Sequence, residues 1–376
     1  MSWVKVQLKD VADLTLGKML DDKKNKGTFL PYLANVNVRW GSFELDDLRQ
    51  MRFEPHEIER FGLKPGDIVM CEGGEPGRCA IWNADEPMMI QKALHRIRPL
   101  NGLNNKFLFY SFLHKGRCGG FAPLFTGSTI KHLPKEKLEL VELNIPSPPV
   151  QERIVSLLSA YDDLIENNRR RIQLLEQSAR LLYKEWFVHL RFPGHEHVKI
   201  KDGVPEGWER KPLGELITLQ RGFDLPTSQR KDGAFPIYAS TGINGYHAEA
   251  KVKAPGVVTG RSGSLGVVMY VSEDFWPLNT TLWVKEFRSV GPLYATYLLD
   301  GMHLEQYNGG AAVPTLNRND VHRVEVLLPS GILLQLFEQY VSDFTRQATL
   351  LKKCNDKLER ARDLLLPRLM SGELAA

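Results

Sequence analysis

Residues 149–186 read PVQERIVSLLSAYDDLIENNRRRIQLLEQSARLLYKEW, and the spacing of the apolar positions in this stretch decides the fold. Ile154, Leu158, Tyr161, Ile165, Asn168, Ile172, Leu175, Ala179, Leu182 and Trp186 alternate steps of four and three, the seam of a helix that packs lengthwise on another. Pro148-Pro149 suits a first helical turn and marks the start. Moving 183 residues along the chain gives Phe337, Val341, Phe344, Ala348, Leu351, Asn355, Leu358, Arg362, Leu365 and Leu369, the same seam again. This second helix begins near Gly331, and Pro367 is expected to end it early. In an antiparallel pair that sets Ile154 opposite Leu369, Asn168 falls opposite Asn355, Leu158 opposite Leu365 and Trp186 opposite Phe337. Tyr161 then meets Arg362 in a cation and ring contact. A facing asparagine pair satisfies both amides and penalises other registers, so Asn168 and Asn355 are expected to set the alignment at some cost in stability. In the competing arrangement, each helix packs separately on its own globular part.

Working outward, the rest of the chain repeats as the helices do. Trp3 to Gly17, with Leu8 and Leu14, is echoed by Trp208 to Gly222, with Leu213 and Leu219. Lys64-Pro-Gly-Asp-Ile-Val matches Lys253-Ala-Pro-Gly-Val-Val, Thr129 matches Thr315, and Pro146-Ser147 matches Pro329-Ser330, always in the same order. Short apolar runs such as Ile68-Val-Met and Gly266-Val-Val-Met-Tyr, bounded by Gly, Pro and Asn, read as strands. The fold class is therefore mixed α/β (α+β): two similar strand-rich domains separated by two long helices in an antiparallel coiled coil with pseudo-two-fold symmetry. The expected boundaries are 1–148 for the first domain, 149–190 for its helix, 191–207 for a linker, 208–330 for the second domain and 331–376 for the second helix and tail.

Composition excludes several classes. A chain of 376 residues at 43% hydrophobic and 25% charged is neither disordered nor fibrous. No run of 18 apolar residues crosses a bilayer, and the start lacks an apolar export segment, so a cytoplasmic protein without a membrane partner is expected. Cys71, Cys79, Cys118 and Cys354 form no C-x-x-C pair, which argues for reduced thiols and no metal site. A net charge of +4 permits a nucleic-acid partner without requiring one.

Enzyme signatures are poor: there is no phosphate-binding G-x-x-x-x-G-K-[ST] loop and no H-E-x-x-H helix. Gly260-Arg-Ser-Gly-Ser-Leu-Gly is followed by strand-like Val267-Val-Met-Tyr rather than a helix, so it is no dinucleotide loop. Asp202 and Glu209-Arg-Lys211 have the residue types of a metal-dependent nuclease but sit on the linker and at the repeat start, where chance explains them. His56, His95 and His132 have no partner spacing and are assigned no role. What recurs are Gly-rich loops carrying the residue types that reach phosphates and base edges. The candidates are Gly73, Gly74, Arg78, Ser128, Thr129 and Lys131 in the first copy, and Arg221, Arg261, Ser262, Asn279, Thr280, Thr315, Asn317 and Arg318 in the second. Arg78, Arg261 and Arg318 stand out because a guanidinium engages guanine O6 and N7 together. Any one such loop reads by default as a solvated turn; recurrence in both copies is what favours function. Arg169-Arg-Arg171 reads as a solvated helix face.

These residues carry a resemblance. Ile145-Pro-Ser-Pro-Pro with Gln151-Glu-Arg-Ile, Tyr183-Lys-Glu-Trp-Phe, Arg191-Phe-Pro-Gly-His and Leu364-Leu-Leu-Pro-Arg-Leu-Met-Ser-Gly-Glu-Leu374 resemble the specificity (S) subunits of type I restriction-modification enzymes over essentially the whole chain. The second helix departs from the pattern, with Pro329-Ser-Gly-Ile-Leu-Leu-Gln where the family has a proline-rich entry. The resemblance implies a non-catalytic subunit for phage defence whose two target-recognition domains bind the halves of a split double-stranded DNA sequence in the major groove. It implies that the helix pair sets their separation. It also implies two methylation (M) and two restriction (R) subunits as partners, with S-adenosylmethionine, ATP and Mg²⁺ on those partners and no cofactor here. Leu157, Leu174, Leu181 and Phe187, beside the seam, are expected either to dock the M subunits or to widen the pair's own core. A modification-only system, a coiled-coil adaptor without DNA readout and a self-contained nuclease or methyltransferase are the competing readings.

Overall fold

The computed structural model describes residues 3–21, 25–100, 102–310 and 312–374. It divides into two compact units, Met1–Asn167 with Cys354–Ala376, and Asn168–Lys353. Both long helices run through the boundary, so each unit owns one end of each.

In the first unit an antiparallel sheet has the order Ala12–Leu16, Leu94–Pro99, Ile68–Cys71, Cys79–Ile81. Beside it Arg49–Phe53, Thr28–Leu33 and Met89–Ile90 form a smaller sheet whose last pairing is parallel. Val4–Gln7 pairs with Glu142–Ile145 just before the long helix. The second unit repeats this plan: Ile217–Arg221, Thr281–Phe287, Gly256–Gly260, Val268–Val271 in one sheet, Gly242–His247, Phe235–Ala239, Trp276–Pro277 in the other, and Glu209–Pro212 with Glu325–Leu328 as the pair. Ile68–Cys71 and Gly256–Gly260 are buried on both faces, which explains the unbroken apolar run of the first and the mainly apolar second, where Thr259 is the one polar side chain. The glycines that close the first repeated segment are there for space. A Cβ on Gly17 would lie 2.4 Å from the Gln91 carbonyl oxygen, and one on Gly222 2.2 Å from that of Leu278.

A helix packs on each main sheet. Asn105–Arg117 starts at Asn104, whose side chain accepts from the amides of Lys106 (2.9 Å) and Phe107 (3.2 Å), and buries Phe107, Leu108 and Phe112. Pro292–Gly301 opens on a proline and buries Leu293, Tyr294 and Leu299.

The long helices are Pro148–Tyr183, continued by a π turn over Lys184–Val188, and Gly331–Met370. Seam positions Ile154, Leu158, Ile165, Ile172, Ala179, Trp186, Phe337, Val341 and Ala348 are buried, as the periodicity predicts. The segments run antiparallel within each unit. In the first, Arg362 reaches Asp162 while Asn355 reaches Ile165; in the second, Lys352 reaches Glu176 while Phe337 packs against Trp186. Two expectations are corrected. Pro367 does not end the helix early, because one missing donor in the last turn costs less than exposing Leu366, Leu369 and Met370, all buried. Arg362 turns from Tyr161 to the carboxylates of Asp162 and Asp363, since a mostly buried guanidinium gains more from charge-assisted hydrogen bonds than from a ring. Phe187 packs into the second core, 4.9 Å from the Tyr294 ring and 5.1 Å from Phe337, while Leu157, Leu174 and Leu181 face outward.

The stretch 191–207 is not a free tether: Phe192 is buried 5.2 Å from Trp208, and Ile200–Lys201 pairs with Val204–Pro205. Among the described residues, no helix is long and apolar enough to cross a membrane.

Candidate nucleic-acid interface

In the first unit the chain leaves the buried strand Ile68–Cys71 into Glu72-Gly-Gly-Glu-Pro-Gly-Arg78. Gly74 (φ 79°) and Gly77 (φ 90°) hold left-handed conformations that side chains resist. The loop is tied down on two sides: Glu72 N donates to Ala93 O at 2.8 Å, and Leu133 N donates to Glu72 O at 2.7 Å. Gly73 bridges His132, whose Nδ1 lies 3.2 Å from the Glu72 carboxylate. Thr126 and His132 exchange both backbone hydrogen bonds at 2.9 Å, closing a tight turn on which Ser128, Thr129, Ile130 and Lys131 are exposed.

The second unit builds the same cluster. Gly263 (φ 86°) and Gly266 (φ 87°) take the places of Gly74 and Gly77 after the strand Gly256–Gly260. Arg261 N donates to Thr280 O at 2.8 Å, and Leu316 N donates to Arg261 O at 2.8 Å. Ser262 bridges Thr315, and Gly309 N donates to Thr315 O at 3.0 Å. The side chains are linked as well: Arg261 Nη1 donates to Asn279 O at 3.0 Å, Asn279 donates to Asp224, and Arg221 donates to Asp224 at 3.2 Å. Six candidates, Arg221, Arg261, Ser262, Asn279, Thr280 and Thr315, thus meet in one place, as do Gly73, Gly74, Ser128, Thr129 and Lys131 in the first unit.

These hydrogen bonds revise the alignment of the repeats. Leu133 and Leu316 make equivalent bonds, so Thr315 corresponds to His132 rather than to Thr129, a slip of three. By the same reasoning Glu72 corresponds to Arg261, Gly73 to Ser262 and Lys92 to Asn279. Asn35 corresponds to Ser240, each following the strand that pairs in parallel with Met89–Ile90 or Trp276–Pro277. Lys92, exposed, and Asn35, against Gly74, were not legible as candidates, because the strands that bring them here are distant in sequence.

Other candidates have internal duties. The Arg78 guanidinium is 15% exposed, donates to Asn35 O at 2.9 Å and pairs with Glu75, so it must leave both to reach a base. Asn317 caps the short helix Arg318–His322 through the Asn319 amide at 3.0 Å, and Arg318 is exposed beside it. Asn355 is buried and donates to Ile165 O at 3.3 Å; Asn168, in the second unit, is 3% exposed.

Burial pushes the thiols of Cys71 and Cys79 up, so neither offers a thiolate beside the loops. Burial holds His95 below its ordinary value, and its Nε2 contacts Leu133 O at 2.8 Å, supporting the turn from beneath. Glu54, His56 and Glu57 bring ligand-type atoms together, but Lys18 Nζ occupies Glu57 at 2.5 Å. Burial raises the Glu57 pKa, yet its bonds from the Glu54 amide and Lys18 outweigh this and hold it low. The two loop clusters are thus surfaces of donors and acceptors on hydrogen-bonded turns, chemistry suited to recognition.

Residues 1–177 match the family model described as the type I restriction modification DNA specificity domain. The chain is 27% identical over 337 residues to the type I restriction enzyme MjaIX specificity subunit of Methanocaldococcus jannaschii, covering 82% of this chain and 78% of that protein. It is 22% identical over 353 residues to the HindI specificity subunit of Haemophilus influenzae, covering 71% and 74%. A crystal structure of a type I restriction-modification S subunit from M. genitalium shares the fold, with a TM-score of 0.59 and 20% identity over 98% of this chain and 96% of that one.

Proposed function

Because the chain belongs with the specificity subunits of type I restriction-modification systems, we propose that each unit reads one half of a split DNA target through its loop cluster. One observation carries this reading: the two units hold the same backbone frame but fill its equivalent places differently. Glu72, Gly73, Lys92, Asn35 and His132 in one stand where Arg261, Ser262, Asn279, Ser240 and Thr315 stand in the other. Identical frames with different donors and acceptors suit two unlike half-sites, since sequence is read from base-edge donor and acceptor patterns in the major groove. Under this reading Gly73, Gly74, Ser128, Thr129, Lys131, Arg221, Arg261, Ser262, Asn279, Thr280, Thr315 and Arg318 line the DNA.

In this proposal the subunit is not itself an enzyme. It directs two methylation and two restriction subunits, which carry S-adenosylmethionine, ATP and Mg²⁺. The helix pair fixes the spacing of the half-sites, and outward Leu157, Leu174 and Leu181, each about half exposed, are the apolar surface for the methylation subunits.

The test is base-resolution methylome sequencing of cells expressing this chain with its methylation subunit, against the methylation subunit alone. A split motif with an unspecified centre, seen only with this chain, is the expected result. Methylation without this chain, or a single continuous motif, overturns the proposal.

A further inference from the structure

Thr126-Gly-Ser-Thr-Ile-Lys-His132 and Gly309-Gly-Ala-Ala-Val-Pro-Thr315 are seven-residue segments of unlike sequence whose ends are hydrogen-bonded at equivalent places; residue 311 of the second lies outside the described residues. Two features survive the divergence. The second place is glycine in both, and in both a side chain there would meet the backbone, although only Gly127 also holds a left-handed φ of 88°. A Cβ on Gly127 would lie 2.2 Å from the carbonyl oxygen of Ile130, and one on Gly310 2.1 Å from that of Val313. The fifth place is a β-branched aliphatic in both, and both are exposed: Ile130 by 64% and Val313 by 55%. Scattered exposed apolar residues need no explanation. A β-branched aliphatic at the equivalent place of two turns, each beside a Gly-rich loop, does. Each glycine lets the chain pass close to the fifth residue's carbonyl, and a β-branched side chain has few rotamers to lose when it makes a contact.

Resting on the DNA-reading proposal above, we infer that Ile130 and Val313 are specificity-determining residues, each packing against the 5-methyl group of a thymine in its own half-site. The thymine methyl is the one apolar feature of the major-groove edge and distinguishes T from the other bases there. The neighbours of Ile130 on the turn, Thr129 and Lys131, are polar and exposed, so they suit the phosphates and edges around that contact.

The test uses the complex of this chain with its methylation subunit and the duplex it methylates, with each thymine replaced in turn by deoxyuridine, which removes only the methyl. In the wild-type complex one replacement in each half-site is expected to weaken binding about fourfold, the equilibrium equivalent of one buried methyl group. Ile130→Ala should abolish that sensitivity in one half-site only, and Val313→Ala in the other only. Both side chains are exposed, so retained deoxyuridine sensitivity in the other half-site reports intact folding of each variant. Wild-type indifference to every replacement, or variants that keep the wild-type pattern or lose affinity equally for thymine and deoxyuridine, overturns the inference. Absence of any split motif or of binding to the all-thymine duplex instead removes the DNA-reading proposal on which it rests.

Discussion

The backbone amide of Tyr294 donates to the Glu338 carboxylate at 2.7 Å, so the second long helix caps the first turn of the helix Pro292–Gly301. Leu293 N reaches the other carboxylate oxygen at 3.4 Å. Glu338→Ala orphans two amides and should destabilise the second unit by about 1–3 kcal/mol in chemical denaturation. Burial raises the Glu338 pKa against the pull of those two amides. A carboxyl raised in the folded state supplies stability below its unfolded value near 4.5 and loses it as pH rises through the folded value. Glu338→Gln keeps an acceptor and removes that titration, so wild type should fall behind this variant as pH rises from 4.5.

In the first unit Asp162 joins three elements: Tyr110 OH donates to it at 2.6 Å, and Arg362 pairs with it while also binding Asp363. Asp162→Ala leaves a mostly buried guanidinium short of a partner and should cost about 2–3 kcal/mol, less than a fully buried pair because Asp162 is partly exposed. Tyr110→Phe should cost about 1 kcal/mol. Loss of stability by Asp162→Ala no greater than by Tyr110→Phe would show that Arg362 carries no charge penalty.

His322 accepts the Leu219 amide through Nε2 at 2.9 Å, which requires its neutral form. Burial first, then Arg318 and Arg288, lower its pKa. The unfolded chain therefore binds the proton more readily, and stability is lost as pH falls below about 6.5 toward the folded value. Thermal melting should show the loss between pH 7.5 and 5.5, and His322→Gln, which accepts without titrating, should reduce it.

Arg261→Ala should relax base discrimination in one half-site by about 1–3 kcal/mol and leave the other unchanged. Lys131→Ala, by contrast, should weaken binding to all sequences alike and lower the slope of log affinity against log salt by about 1. Titrations of the complex at three salt concentrations separate the two. A Lys131 variant with altered base preference would move that residue from backbone to base contact.

How much of this was legible in the sequence depends on how far apart in the chain the interacting residues lie. A seam such as Ile154, Leu158 and Ile165 is local periodicity, and it read correctly because burial follows helical spacing. Gly17 and Gly222 match in sequence, but the reason for them, a facing carbonyl oxygen within 2.4 Å of where a Cβ would sit, has no sequence signal. Thr129 and Thr315 were paired by residue type, whereas hydrogen bonding pairs His132 with Thr315, because turns keep their backbone contacts and exchange side chains freely. Arg78 looked like a free guanidinium, yet Asn35, 43 positions earlier, claims it. Lys92 has no local signature as a candidate because it is set beside Glu72 by the antiparallel pairing of Leu94–Pro99 with Ile68–Cys71, more than twenty positions earlier.

The first unit takes its last packing elements, Leu366, Leu369 and Met370, from the far end of the chain, where they join Val150, Ile154 and Leu158 in one core. During synthesis that core therefore stays open while the entire second unit emerges, and residues 150–158 lack part of their apolar cover in the nascent chain until residues 366–370 have been made. A premature stop that spares every residue of the first recognition loops would still leave their unit unfinished.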